Sequence, residues 1–102
     1  MKIIIESTNF KPSIALNKFI REKAKVFEKL DKRALFAEFN LAAAKNNYSC
    51  TIILNLSGKD IVATKSSEDM HLAILLAIVA AKRGMRKKKM KRITLKKSKS
   101  RK

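Results

Sequence analysis

The chain has 102 residues, enough for one domain with a single modest core and too few for a separate catalytic domain. Its 25 Lys and Arg against 8 Asp and Glu give a net charge of +17. Such an excess favours a polyanionic partner, because each cation set on a phosphate releases condensed counterions.

The first residues, Met1-Lys2 followed by Ile3, Ile4 and Ile5, have neither the length nor the cleavage pattern of a signal peptide. The three β-branched residues predict a first strand that ends at the polar stretch Glu6-Ser7-Thr8-Asn9. Pro12 and Ser13 then mark a helix start, with Ser13 as N-cap. Leu16, Phe19, Ile20, Lys23, Ala24, Phe27 and Leu30 recur at helical spacing, with Lys18, Arg21, Lys25 and Lys29 mostly off that stripe. An amphipathic helix of about four turns follows.

After Asp31-Lys32-Arg33 the period changes to two, Leu35, Ala37, Phe39 and Leu41 alternating with Phe36, Glu38, Asn40 and Ala42. Asn46-Asn47 signals a turn, and Tyr48, Cys50, Ile52, Leu54 and Leu56 alternate beyond it, so an antiparallel hairpin is expected. Ser57-Gly58-Lys59-Asp60 turns the chain again into a strand through Ile61, Ala63 and Lys65. The apolar face of that strand is short. Cys50 falls on the apolar alternation and reads as core packing. As the only cysteine it cannot form an intramolecular disulfide, and a reducing cytoplasm is the expected compartment.

Ser66 and Ser67 are expected caps of a last helix, with Glu68 and Asp69 in its first turn, where the helix dipole favours negative charge. The segment from Met70 to about Met90 contains one glycine, Gly84, and no proline, which predicts one long helix. Met70, Ala73, Ile74, Ala77, Ile78 and Ala81 form its core face. Leu72, Leu75, Leu76 and Val79 are expected to be buried under the sheet edge or against the first helix. The alternative is an exposed stripe for a protein partner or a membrane surface. His71, with no second His and no Cys at metal-ligand spacing, is expected to be a partly buried helix residue.

No acid follows Asp69, and 13 of the cations lie at or beyond Lys82. The second half of the last helix is therefore a cationic rod, and the Lys- and Ser-rich segment 93–102 is expected to be a basic flexible tail behind a folded domain of residues 1–92. The predicted fold class is α+β: a two-layer sandwich in the order β-α-β-β-β-α, a four-stranded sheet with two helices on one face. The longest apolar run, Leu72 to Ala81, is about half the ~20 residues that cross a bilayer, and no membrane partner is expected. No Ser, His and acid constellation and no phosphate-cradling Gly loop is present, so the chain is not expected to be an enzyme, and no cofactor, metal or small-molecule substrate is expected.

Several words in the chain, taken in this element order, resemble the ribosome hibernation-promoting factor family (HPF, also called RaiA or ribosome-associated inhibitor A). The clearest is Glu68-Asp69-Met70-His71-Leu72-Ala73-Ile74, followed by Ala77-Ile78 and Lys82-Arg83, with Ala63 at the place where the family has the alanine of its last strand. Ser13-x-Ala15-Leu16, Lys23, Phe27-Glu28-Lys29, Ala37 to Leu41 and Gly58-x-Asp60 match as well, over residues 1 to about 91. His71 stands where the family has tyrosine, and Leu75, Val79 and Ala80 stand where lysine or aspartate is frequent.

The resemblance implies a cytoplasmic, ribosome-associated translation inhibitor that occupies the mRNA and tRNA path of the small ribosomal subunit, held by rRNA contacts, and that preserves idle ribosomes. Residues 1–92 would be its ribosome-binding domain, monomeric off the ribosome. The rRNA contacts it implies are Lys23 and Lys29 on the first helix and Arg83 and Lys87 on the last, with Arg86, Lys88 and Lys91 as neighbours of the same chemistry. Phosphate contacts of this kind position a protein without reading sequence, so recognition of RNA shape is expected. Two other readings stay open: a general double-stranded RNA-binding module, and a peripheral membrane or interaction protein built on the last helix.

Overall fold

In the computed structural model of the chain, the backbone of residues 1–100 and the side chains of residues 1–86 are described. The elements run β1 (Lys2–Thr8), α1 (Ile14–Leu30), β2 (Ala34–Ala44), β3 (Asn47–Leu56), β4 (Asp60–Ser67) and α2 (Met70–Ser100). The strands form one sheet in the order β1-β2-β3-β4. β1 lies parallel to β2 through the α1 crossover, and the other two pairs are antiparallel. The expected α+β order is the observed one. The expected tail 93–102 and the domain limit at residue 92 fall beyond the described side chains.

Local chemistry accounts for most element ends. The Ser13 hydroxyl accepts a hydrogen bond from the Leu16 amide at 3.0 Å and so caps α1, as expected from the sequence. Asp31 closes the same helix: its carboxylate accepts from the Arg33 backbone N–H, Nε and Nη2 at 2.9, 3.1 and 2.9 Å. The β3–β4 hairpin turns on Ser57 and Gly58, both left-handed at φ 47° and 95°, with the Leu56 amide donating to the Lys59 carbonyl at 2.7 Å. Two successive left-handed residues match the right-handed twist of the flanking strands. The β2–β3 turn falls on Lys45 and Asn46, one residue before the expected Asn46-Asn47, because Asn47 already pairs with Ala44.

Alternation assigns one sheet face to the core. Ala37, Phe39, Leu41, Cys50, Ile52, Leu54, Leu56, Ile61 and Ala63 are buried on it. Leu16, Ile20, Ala24 and Phe27 cover it from α1, and Met70, Ala73, Ile74, Ala77, Ile78, Ala81 and Met85 cover it from α2. The other face, with Ile4, Glu6, Glu38, Asn40, Thr51, Ile53, Val62 and Thr64, carries no helix; there Thr51 and Thr64 share a hydroxyl hydrogen bond of 3.0 Å.

Three expectations are corrected. Leu35 was expected on the apolar side of β2, but the register shifts between Ala34 and Phe36, which buries Ala34 and leaves Leu35 55% exposed. Ser66 and Ser67 do not cap α2, since β4 continues through Ser67. Asp69 takes that role, accepting from the His71 amide at 3.1 Å through its carboxylate and from the Ala73 amide at 2.9 Å through its carbonyl. Leu72, Leu75, Leu76 and Val79 are exposed, not buried, because the sheet and α1 cover only one side of α2.

Gly84 explains how closely α2 sits on the sheet. A Cβ there would stand 2.8 Å from the Cγ2 of Ile61, closer than side chains tolerate. Glycine at this point lets the helix reach β4.

Candidate nucleic-acid interface

The cations expected to contact RNA lie in the helical layer. Lys23 and Lys29 are exposed on α1, as are Lys18, Arg21 and Lys25. Lys23 and Lys29, six residues apart, point about 120° from each other around the helix and so serve different flanks of it. Arg83 and Arg86 are exposed on α2, three residues apart and within one turn. Lys87, Lys88 and Lys91 belong to α2 but lie beyond the described side chains.

Lys23 falls on the apolar stripe of the sequence, yet the structure leaves it exposed. Its Nζ stands 5.8 Å from the centre of the Phe19 ring, one turn earlier on α1. The edge of that ring meets His71 of α2, with centroids 4.8 Å apart and planes at 64°. A lysine over an aromatic face gains about 0.5–1 kcal/mol at an exposed site, which limits where its ammonium points. His71 is therefore not the partly buried residue expected: its side chain is 57% exposed, 3.9 Å from the Asp69 carboxylate, and bridges the two helices through Phe19. Phe19 and Lys23 at i and i+4 were a visible pair; that α2 brings His71 to them was not.

The remaining charge is arranged around this layer. Glu6 and Glu38 stand on the helix-free sheet face, opposite the cations of α1 and α2. The cationic surface is thus separated by the thickness of the sheet from two of the few acids. Among the described residues, no helix is long and apolar enough to cross a membrane, and no three His, Cys, Asp or Glu side chains gather where they could hold a metal ion. Cys50 is fully buried in β3, and burial pushes its thiol up to about 12. A thiol so placed is inert packing rather than a nucleophile.

Fold and charge together define a class: a small two-layer α+β domain with a cationic helical layer and one bare sheet face. Within that class, the chain belongs to the Sigma 54 modulation protein / S30EA ribosomal protein family, whose profile matches residues 3–93. A ribosomal subunit interface protein from Coxiella burnetii shares the fold with a TM-score of 0.82 at 19% identity, over 88% of this chain and 99% of that one. The N-terminal domain of Thermus thermophilus Protein Y superposes with a TM-score of 0.70 at 19% identity, over 76% of this chain and 88% of that one. A comparison with curated proteins returned no match.

Proposed function

We propose that the chain is a ribosome-associated translation inhibitor that occupies the mRNA and tRNA path of the small subunit and preserves idle ribosomes. Membership of a ribosomal-protein family carries the ribosome as partner. The observation that carries the mode of binding is the layer of exposed cations Lys23, Lys29, Arg83 and Arg86 on two helices that share one side of the sheet. Lys and Arg spread over two helices suit a backbone-lined surface, where phosphates position the protein and RNA shape selects it. Lys87, Lys88 and Lys91 extend the same set. Inhibition is steric and requires no catalytic group: a folded domain held over the decoding path excludes the ligands that use it.

The test is cell-free translation with purified protein, together with competition for the small subunit against mRNA and tRNA. Translation is expected to stop at about one copy per ribosome, the stoichiometry of a single site. Unchanged affinity of a saturated small subunit for both ligands would falsify this reading. A general duplex-RNA binder is distinguished in the same assay, because short duplex RNA would then displace the protein from ribosomes.

A further inference from the structure

One surface has no use in that function. Leu72, Leu75, Leu76 and Val79 are 46, 37, 39 and 42% exposed and lie on the side of α2 turned away from the sheet. Their spacing of i, i+3, i+4 and i+7 makes a continuous apolar seam, the pattern by which one helix packs along another. Scattered surface leucines are ordinary, but four in one stripe mark a contact.

We propose that a second copy of this chain covers the seam, the two α2 helices packing antiparallel about a two-fold axis that passes between Leu75 and Leu76. In that register Leu72 meets the partner's Val79 and Leu75 meets the partner's Leu76, so the seam is complementary to itself, as a two-fold contact requires. The same register brings Asp69, which caps α2, and Glu68 just before it toward the partner's Lys82 and Arg83, and repeats the match at the other end. These acids are the last two in the chain. Charge also decides the direction of packing. A parallel pair would lay Lys82, Arg83 and Arg86 of one copy beside the same three of the other. In the antiparallel pair the nearest, Lys82, stands about 10 Å along the helix from the axis, so the two basic ends begin about 20 Å apart, twice the Debye length.

A lipid surface fits less well, because the seam has acids at one end, Glu68 and Asp69, and cations at the other, Lys82 and Arg83, and a uniformly anionic layer of headgroups would attract one end and repel the other. The contact is small against the roughly 800 Å² per partner of a standard interface, so association is weak, with a dissociation constant on the order of micromolar or above. This departs from the monomer that the resemblance implies, and because Arg83 serves both contacts the dimer is a state of the chain off the ribosome.

The experiment is sedimentation equilibrium of the full chain from about 5 to 500 µM near physiological salt, a range that spans weak dimers. A monomer–dimer equilibrium is expected, weakened at least tenfold in the double variant Leu75→Gln, Leu76→Gln, which places four polar groups at the axis and should keep the wild-type circular dichroism. Arg83→Glu alone should weaken the dimer, and adding Glu68→Arg should restore it. A wild-type chain that stays monomeric throughout, or a dimer indifferent to the Leu75 and Leu76 changes, overturns the proposal. So does a monomer that binds phosphatidylglycerol vesicles through these leucines, which would give the seam to a membrane.

Discussion

Replacing Lys23, Lys29, Arg83 and Arg86 together by alanine separates phosphate contacts from fold. All four side chains are exposed. Each substitution should therefore change stability by about 0.5 kcal/mol or less, with Lys23 losing in addition the weak attraction to the Phe19 ring, about 0.5–1 kcal/mol. The sum, about 2 to 3 kcal/mol at most, leaves a domain of this size folded at 25 °C when stability is of the usual order.

The effect on binding is of a different kind. Each phosphate neutralised contributes roughly 0.7 to 0.9 to the slope of log affinity against log salt, so four lost contacts flatten the slope by about 3. Between about 50 and 200 mM salt, wild-type affinity should then fall some 60-fold further than that of the variant. Fluorescence titration of small subunits at several salt concentrations measures both slopes, and a urea melt checks the fold. A folded variant with the wild-type slope would mean that these four cations do not touch phosphate.

Two further outcomes test the core. Because burial holds the Cys50 thiol protonated up to about 12, the unfolded chain releases that proton first as pH rises from its ordinary 9.0. The thiol's contribution is whole below pH 9 and is lost above it at about 1.4 kcal/mol per pH unit, so wild type minus Cys50→Ala stability should fall between pH 8 and about 10.5 in parallel denaturant titrations. An equal difference at both pH values would mean that the thiol reaches water in the folded state. Gly84→Ala gains about 1 kcal/mol of helix propensity but drives a methyl against Ile61, where overpacking costs about 1–3 kcal/mol, so the variant should melt lower than wild type. Adding Ile61→Leu, which removes the Cγ2 methyl from that position, should recover part of the loss; a stabilised single variant would show that α2 can lift from β4 freely.

The sequence disclosed those parts of the fold in which one local signal had no competitor. Ser13 ahead of a stripe of period 3.6, and the alternation through Cys50, Ile52, Leu54 and Leu56, each allow one reading, and the structure has both. α2 is different: the spacing of Met70, Ala73, Ile74, Ala77, Ile78 and Ala81 marks the covered side correctly, but the helix is apolar nearly all round to Ala81 and periodicity could not say whether the opposite stripe would be covered as well. That choice is made by the width of the sheet beneath it. The cap of α2 is hidden from the sequence for a related reason: Ser66, Ser67 and Asp69 all cap well in isolation, and only the pairing of Ser67 with Tyr48 keeps the chain in β4 that far. At Leu35 the alternation was right in period and wrong in phase, since a bulge leaves no trace in composition. Of the candidate interface, the charged residues were plain from the sequence. The bridge from Lys23 through Phe19 to His71 required knowing that two helices 40 residues apart come together.

The strands lie side by side in the order in which they occur in the chain. During synthesis, then, no strand has to insert between two neighbours already joined: each new one adds at the free edge left by the last. β1 must wait for α1 to cross over, but from β2 onward every addition is a short-range step. α2 settles last on β3 and β4, and the 13 cations at or beyond Lys82 leave the ribosome only after the whole sheet has been made. A nascent chain of this design is only mildly basic through Ala81, with 12 cations against 8 acids, and it gains most of its affinity for polyanions only after its sheet has been made.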